Sequence, residues 1–200
     1  MLRVGLTGGI ACGKTVVRQL LEGRGAFTID ADEIVHRLMG SGTNLTGRIA
    51  EAFGPDVLSP SGAVDRSRLG RIVFSDPAER AKLNALVHPE VIREEKRLLR
   101  EAEDRGVAVA VVDAALMIEA GTYRDYDRLL VVHCPRALQL ERLVARGLTS
   151  AEASRRVDAQ MPVEEKKAYA DCLIDTSGSL ADTERQVEEV WEKLVEAPSR

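Results

Sequence analysis

Residues Gly5 to Thr15 read Gly-Leu-Thr-Gly-Gly-Ile-Ala-Cys-Gly-Lys-Thr, and this stretch decides the fold. Gly8, four further residues and then Gly13-Lys14-Thr15 satisfy the phosphate-loop pattern. The apolar run Leu2 to Leu6 before the loop predicts a buried strand, and the apolar spacing of Val16 to Leu21 after it predicts a helix. An ordinary glycine turn is the simpler alternative, but the complete pattern in register favours a nucleoside triphosphate site.

The residue types in this loop suit phosphate binding. Glycines let successive backbone N–H groups point inward at phosphate oxygens, and the following helix contributes the positive end of its dipole. Lys14 adds a full charge beside the β- and γ-phosphates, and the Thr15 hydroxyl is a ligand for Mg²⁺. The predicted nucleotide-binding residues of the stretch are Gly8, Gly9, Ala11, Cys12, Gly13, Lys14, Thr15 and Val16.

The composition of the 200 residues fits one α/β domain with modest insertions. The formal net charge of −4 gives no reason to expect nucleic acid as a partner, and no apolar run approaches the ~20 residues of a membrane span. Met1-Leu2-Arg3 runs directly into the first predicted strand, so we expect no signal peptide. Three widely spaced cysteines indicate neither a disulfide framework nor a zinc site. We therefore expect a cytoplasmic protein.

Two acidic residues follow the second predicted strand, Ala26 to Ile29. Asp30 and Asp32 lie where the carboxyl end of a parallel strand faces the ligand crevice of α/β proteins. Helix capping is the alternative, because Asp32 precedes a helical pattern from Glu33 to Leu38 and is a plausible N-cap. We favour a functional role for Asp32, and for Asp30 the two interpretations are equally open.

The region between the second and third predicted strands has a helical pattern. From Gly40 to Gly106, helix-like segments are separated by glycine and proline turns, which predicts a helical substrate lobe inserted into the nucleotide core. Asp65 and Asp76 are predicted N-caps within this region. His88-Pro89 predicts a helix break, because the residue before a proline avoids the helical conformation.

The third predicted strand, Val107 to Val112, is nearly all β-branched residues or alanine and ends in Asp113. The position of this carboxylate, directly after an apolar strand, suits an acidic residue that helps to hold Mg²⁺. A surface turn would need the same residue type, so both interpretations of Asp113 are open.

Two arginine-rich helical segments follow the fourth predicted strand, Leu129 to Cys134. Arg142 and Arg146 lie four apart on one helix face, and Thr149 is a predicted N-cap for the next helix. An exposed helical hairpin would have the same spacing. Because a phosphate loop is already predicted, we favour a mobile lid whose cations cover the transferred phosphoryl group.

These landmarks together are similar to the dephospho-coenzyme A kinase family, essentially from end to end. The stretches that carry the similarity are GLTGGIACGKT (5–15), DADEI (30–34), LNALVHPEVIREE (83–95), QLERLVAR (139–146), QMPVEEK (160–166) and ADCLIDTSGSL (170–180). The resemblance implies an α/β fold of the P-loop kinase type: a doubly wound five-stranded parallel sheet, an inserted helical acceptor domain and a helical lid. The nucleotide core would then comprise residues 1–31, 107–141 and 170–200, the acceptor subdomain 32–106 and the lid 142–169.

The resemblance also implies transfer of the ATP γ-phosphoryl group to the ribose 3′-hydroxyl of dephospho-coenzyme A, with ATP and Mg²⁺ as cofactors. Asp32 matches the acid that accepts the hydroxyl proton, and Arg142 matches a lid-side arginine that contacts the phosphates. The implied catalytic residues are Asp32, Lys14 and Arg142. Thr15 matches a Mg²⁺ ligand of the family, and Asp113, predicted from its position after the third strand, is the second expected Mg²⁺ ligand. The implied acceptor-binding residues are Asp30, Asp32, His88, Leu116 and Glu119. Arg142, Ser177 and Gly178 join the nucleotide site. A monomer or small homo-oligomer is expected, without membrane or nucleic-acid partners.

The sequence departs from the family pattern at three places. Ala11-Cys12 replaces the more usual Gly-Ser, Ala114-Ala115 replaces Val-Pro, and Thr176 replaces Asn near the expected adenine pocket. The first two changes could alter loop stiffness and acceptor fit. None of the three removes a catalytic group.

Cys12 lies beside Lys14 and a predicted helix N-terminus, a setting that favours the thiolate. We favour a small residue filling a serine-sized space over a redox role. In either case we expect an exposed loop thiol, close to bound phosphate, that reacts faster than Cys134 or Cys172.

Two other functions stay open. One is a related kinase that acts on a nucleoside monophosphate or another small hydroxyl acceptor. The other is not a metabolic enzyme but a GTP-dependent switch or an ATP-binding regulator. A GTP-dependent switch requires Asp-x-x-Gly soon after the loop and then Asn-Lys-x-Asp. The first of these motifs occurs only at residues 175–178 and the second is absent, so the switch is disfavoured.

Overall fold

The structure, a computed structural model, describes residues 1–196. The chain divides into two compact units. The first unit comprises Met1–Ile29 together with the chain from Glu101 onward, and the second unit is Asp30–Arg100.

A five-stranded sheet forms the centre of the first unit. Its strands are β1 (Leu2–Gly8), β2 (Phe27–Asp30), β3 (Val109–Asp113), β4 (Arg128–His133) and β5 (Cys172–Asp175), in the order β2-β3-β1-β4-β5. β1 pairs in parallel with β3 and with β4, and β4 pairs in parallel with β5. The predicted α/β fold with a five-stranded parallel sheet is confirmed, with strand ends shifted by at most two residues.

The helices surround this sheet and build the second unit. They are α1 (Lys14–Glu22), α2 (Ala31–Leu38), α3 (Asn44–Phe53), α4 (Arg66–Ser75), α5 (Pro77–Asp104), α6 (Arg136–Ala145), α7 (Ser150–Asp158), α8 (Val163–Lys166) and α9 (Leu180–Glu196). Short 3₁₀ turns cover Pro55–Val57, Thr122–Asp125 and Lys167–Tyr169. No helix within residues 1–196 combines the length and the apolar character that a membrane crossing requires.

The core of the first unit consists of strand residues that are buried on both faces of the sheet. β1 occupies the middle of the sheet, and Val4 and Leu6 within it have no exposed surface. Helices α1 and α9 cover the sheet with Val17 and Val187, both fully buried in the same cluster. Burying each such side chain contributes about 1.5–3 kcal/mol, so the loop that follows β1 is anchored in the most stable part of the unit.

The second unit has a helical core of its own. Leu45, Ile49, Val57 and Leu69 are each at most 3% exposed and pack in one apolar cluster. Helix α4 begins at the predicted cap, since the Asp65 carboxylate accepts hydrogen bonds from the backbone N–H groups of residues 67 and 68.

The predicted helix break at His88-Pro89 is wrong, because α5 runs through both residues. A proline inside a helix removes one backbone hydrogen bond and costs about 3 kcal/mol. The apolar face of this helix offsets that cost: Val87 is buried in the cluster of the second unit, and Leu83, Leu86 and Val91 pack against the same cluster. Tertiary packing therefore overrides the local preference.

Candidate active site

The loop after β1 has the backbone shape that the phosphate-loop pattern requires. Gly13 has a φ of 79°, in the left-handed region that glycine adopts without strain. Gly9 has no room for a side chain, because a Cβ there would overlap Gln139 Nε2 and Val163 Cγ2. Ala11 also has a positive φ, 60°, which is uncommon for a residue with a side chain and is typical of functional loops.

Helix α1 begins at Lys14 directly after this loop. Its N-cap is Gly13, which provides no side-chain cap, and the Gly13 carbonyl accepts from the backbone N–H groups of Val16 and Val17. Thr15 is exposed in the first turn. The positive end of the helix dipole is therefore presented next to the glycine loop, an arrangement suited to an anion.

Lys14 is held by a buried carboxylate at the end of the neighbouring strand. The register of β1 and β3 sets Asp113 opposite Leu6, and the Asp113 side chain is only 2% exposed. Asp113 accepts a hydrogen bond from the Lys14 ammonium group, and its second oxygen lies 3.5 Å from Arg18 Nε. The Asp113 carboxylate lies between these two cations, and its contact with the ammonium group keeps the Lys14 amine at the loop.

The predicted Mg²⁺ ligands offer the correct donor chemistry. The Thr15 hydroxyl and the Asp113 carboxylate are oxygen donors, which Mg²⁺ prefers. Within residues 1–196, no group of three or more His, Cys, Asp or Glu side chains forms a metal cage. Mg²⁺ is usually held by one or two protein groups together with water and substrate phosphates, and the Thr15 hydroxyl and the Asp113 carboxylate are two groups of that kind.

Arg142 binds the phosphate loop from helix α6. Its Nη1 donates to the Ala11 carbonyl at 3.1 Å and to Thr176 Oγ1 at 3.3 Å, and its Nη2 donates to the Thr176 carbonyl at 2.7 Å. The guanidinium thus joins the loop after β1 to the segment after β5. Main-chain carbonyl groups hold the guanidinium charge at the loop. The Arg142 side chain is therefore ordered before a nucleotide binds.

An open cavity of about 280 Å³ adjoins this arginine. It is lined by residues from the phosphate loop, α6 and the chain around the start of α9: Ala11, Gly13, Val16, Arg142, Arg146, Thr176, Gly178, Leu180 and Thr183. Five of these residues were predicted to bind nucleotide. Arg146 was not among the predicted nucleotide-binding residues, although it lies four positions after Arg142 on the same helix face. Ser177 lies beside the lining, and its backbone N–H donates to Asp175 Oδ1 at 2.9 Å.

Two glutamines hold the loop at Ile10, and sequence reasoning missed both. Gln139 Nε2 donates to the Ile10 carbonyl at 2.7 Å, and the Ile10 N–H donates to Gln160 Oε1 at 2.8 Å. Both glutamines lie in stretches that carry the family resemblance, QLERLVAR and QMPVEEK. That resemblance was the only indication in the sequence that they belong to the site. Together they satisfy both backbone groups of one loop residue and restrict its orientation.

Glu119 is paired with a buried lysine. Lys166 has no exposed surface, and its Nζ lies 2.9 Å from Glu119 Oε1 and donates to the Ala115 carbonyl at 2.9 Å. Glu119 also accepts from the Met161 N–H at 3.1 Å. This pairing connects the segment after β3 to α8, while Leu116 in the same segment is half exposed.

The expectation of an exposed, reactive thiol at Cys12 is wrong. The side chain is fully buried, and its Sγ lies 3.4 Å from the Sγ of Cys134. The hydrogen bond with Cys134 and burial raise the pKa of the Cys12 thiol well above its ordinary value. The more accessible cysteine is Cys172, which is half-buried. Cys12 therefore fills a small buried space, in agreement with the interpretation of Cys12 as a small packing residue.

Asp30, Asp32 and His88 belong to the second unit. Asp30, not Asp32, is the N-cap of α2, because its carboxylate accepts from the Glu33 N–H at 3.1 Å. The capping explanation for Asp32 is thereby removed: this residue lies exposed in the first turn of α2. His88 is exposed on α5. The remaining predicted site residues, on the phosphate loop, at Asp113 and in the cavity beside Arg142, come together in the first unit.

Comparison with known proteins identifies the family. The model of the dephospho-CoA kinase family matches residues 2–182. The chain belongs to the dephospho-CoA kinase family.

Individual members of this family are similar over nearly their whole length. The dephospho-CoA kinase of Geobacter sulfurreducens is 44% identical over 191 residues, covering 95% of this chain and 97% of that protein. Among solved structures, the dephospho-CoA kinase from Campylobacter jejuni superimposes with a TM-score of 0.72 at 27% identity, covering 96% of each chain. The crystal structure of TT1252 from Thermus thermophilus gives a TM-score of 0.82 at 34% identity, covering 96% of this chain and 97% of that one.

Proposed function

We propose that this protein transfers the γ-phosphoryl group of ATP to the ribose 3′-hydroxyl of dephospho-coenzyme A, giving coenzyme A and ADP, the final step of coenzyme A synthesis. The observation that carries the proposal is the match of the dephospho-CoA kinase family to residues 2–182, which includes the phosphate loop and Asp32. A kinase of this family uses ATP as its phosphoryl donor.

The phosphate loop and its neighbours bind and orient the triphosphate. The α1 N-terminus and the loop N–H groups bind the phosphates, and the Lys14 ammonium group stabilises the charge that develops as the bond to the β-phosphate breaks. Arg142 adds a second cation, already ordered by the Ala11 and Thr176 carbonyls. Catalysis then depends on positioning and electrostatic stabilisation more than on covalent chemistry.

Asp32 acts as the proton acceptor. Its carboxylate takes the proton of the 3′-hydroxyl as the oxygen forms its bond to the γ-phosphorus, and ADP leaves with the electrons of the broken bond. The exposure of Asp32 and the absence of a capping role leave this carboxylate available to a substrate hydroxyl. Asp30, His88, Leu116 and Glu119 are proposed acceptor contacts.

Thr15 and Asp113 would hold Mg²⁺. The ion, when bound, would neutralise phosphate charge. For Asp113 to contribute, the Lys14 amine must shift from the carboxylate towards the phosphates. The division into nucleotide core, acceptor subdomain and lid, the cytoplasmic location, and the monomeric or small homo-oligomeric state stay predictions.

One assay tests the proposed reaction against the alternative acceptors. ADP release from ATP and Mg²⁺ is measured with dephospho-coenzyme A and, separately, with AMP, CMP and shikimate. We expect turnover with dephospho-coenzyme A alone, and its loss in Lys14→Ala. Turnover with AMP, CMP or shikimate that equals or exceeds that with dephospho-coenzyme A would favour the related-kinase alternative.

A further inference from the structure

Two cysteines of the first unit contact each other beneath the phosphate loop. Cys12 lies within the loop and Cys134 follows β4, 122 residues further along the chain. Both are free thiols with side chains at most 2% exposed, and their sulfurs are 3.4 Å apart. A separation this short is compatible with a disulfide after a small movement of either residue.

The two thiols differ in their surroundings. Arg142 Nη1 lies 3.8 Å from Cys134 Sγ. The hydrogen bond between the two thiols, and then the charge of Arg142, lower the pKa of Cys134 below its ordinary value, whereas the pKa of Cys12 is raised. This difference favours the thiolate, the reactive form, at Cys134 over Cys12.

Cys134 adjoins a cavity. It lines an open cavity of about 330 Å³, together with Gly9, Gln139, Gln160 and Val163. This volume admits a molecule of the size of a small peroxide, and the other two cysteines do not line the cavity. Of the two paired cysteines, Cys134 alone lines this cavity, and we expect an oxidant to reach it first.

Cys12 is tightly connected to the phosphate loop. Its carbonyl accepts from Thr176 Oγ1 at 2.8 Å, and its N–H donates to the Gly9 carbonyl at 3.1 Å. A side chain at Gly9 would place its Cβ only 3.1 Å from the Cys12 sulfur, so the Cys12 sulfur lies close against the loop backbone at Gly9. Joining the sulfurs requires them to approach from 3.4 Å to about 2.05 Å, and this shift would be transmitted to the loop backbone.

We propose that Cys12 and Cys134 are a site of reversible oxidation, at which a hydroperoxide converts the two thiols into a disulfide and thereby disables the phosphate loop. The Cys134 thiolate attacks one peroxide oxygen, the O–O bond breaks, and the alkoxide or hydroxide that leaves takes a proton from water. Cys134 is then a sulfenic acid. The Cys12 sulfur attacks the Cys134 sulfur, the S–O bond breaks, and the hydroxyl leaves with the Cys12 proton as water. The two thiols lose two electrons, and the peroxide gains them.

The test treats the whole protein with hydrogen peroxide. Non-reducing peptide mapping by mass spectrometry follows the Cys12–Cys134 link, binding of a fluorescent ATP analogue follows the loop, and ADP release follows turnover. We expect the linked fraction to rise in parallel with loss of nucleotide binding, kcat/KM to fall about 100-fold when linking is complete, and dithiothreitol to restore both. Because the link and nucleotide binding are measured without turnover, a failure of this proposal is distinguishable from a failure of the proposed reaction.

Two variants complete the test. Cys134→Ala removes the thiol that the oxidant meets and should resist peroxide, while Cys172→Ala, which removes the unpaired half-buried thiol, should respond as the original protein does. The proposal is overturned if no Cys12–Cys134 peptide forms, if the link forms without loss of nucleotide binding, or if Cys134→Ala remains equally sensitive. Should Cys134→Ala fail to fold, the peptide map and the binding curve of the original protein decide alone.

Discussion

The ammonium group of Lys14 is bound to the carboxylate of Asp113, a residue with only 2% of its side chain exposed. The two residues come from different strand–loop connections, 99 residues apart in the chain. A buried carboxylate that contacts a cation directly holds that cation in place. Bound phosphates therefore have to compete with Asp113 for Lys14, which links nucleotide binding to a rearrangement of this pair.

Lys14→Ala should lower turnover beyond its effect on ATP affinity. The Lys14 charge stabilises the transition state most, when the γ-phosphoryl group departs. We therefore expect kcat to fall by roughly 10²–10³-fold. Steady-state kinetics at saturating ATP measures this. Unchanged kcat with only a raised KM for ATP would show that Lys14 serves ground-state binding alone.

The variants Asp32→Asn and Asp30→Ala should distinguish a catalytic role of Asp32 from the helix-capping role of Asp30. Asp32→Asn removes the proton acceptor without removing a cap, so kcat should fall by ~10²–10⁴-fold at an unchanged melting temperature. Asp30→Ala removes the α2 cap and should cost about 1 kcal/mol of unfolding free energy. Kinetics and thermal unfolding of both variants check this, and normal turnover in Asp32→Asn would end its assignment as a base.

Arg142→Ala should reduce turnover strongly, whereas Arg97→Ala should not. Arg142 orders the phosphate loop through Ala11, while Arg97 is half exposed on α5 and paired with Glu94. Exposed pairs of this kind contribute at most about 1 kcal/mol. Comparable losses of kcat in the two variants would show that the arginine facing the phosphates has been misidentified.

Lys166→Met should destabilise the protein by about 3 kcal/mol. Removing one partner of a buried pair leaves the other uncompensated, and the 24% exposure of Glu119 keeps the cost at the low end of the usual range. Lys167→Met is the matched control, because its partner Glu164 is 77% exposed, and its effect should stay within about 0.5 kcal/mol. Urea unfolding measures both. Adding Glu119→Gln to Lys166→Met should recover part of the loss, and strict additivity would argue against direct pairing.

His133 should make the protein less stable at mildly acidic pH. Burial, and then the charge of Lys167, lower the pKa of His133 in the folded state below its usual value near 6.5. The unfolded chain therefore binds this proton more readily, and the stability that neutral His133 contributes is present above pH ~6.5 and is lost as the pH falls towards the folded-state pKa. The unfolding free energy of His133→Gln should fall less between pH 8 and pH 5 than that of the original protein. Parallel pH curves for the two proteins would refute this.

Local patterns in the sequence determined the elements around the nucleotide site. The phosphate loop, the five strands and the caps at Asp65 and Thr149 follow from residues within a few positions of each other. Such features depend on backbone sterics and short-range hydrogen bonds, which the order of residues specifies directly. The family resemblance pointed to Arg142 because this residue lies in a short recognisable stretch, whereas Asp113 was predicted from its position directly after an apolar strand.

Only the tertiary structure decided which distant groups meet, and with what effect. It placed Cys12 against Cys134, Lys166 against Glu119 and Arg142 on the Ala11 carbonyl, pairs separated by 122, 47 and 131 positions. It also carried α5 through Pro89, because the apolar face of that helix is buried. Contacts of this kind depend on how the sheet and helices pack, and packing of residues far apart in the chain is not encoded in any local pattern. The sequence therefore showed that a cysteine, Cys12, lies in the phosphate loop, but it did not show that this thiol is buried against Cys134.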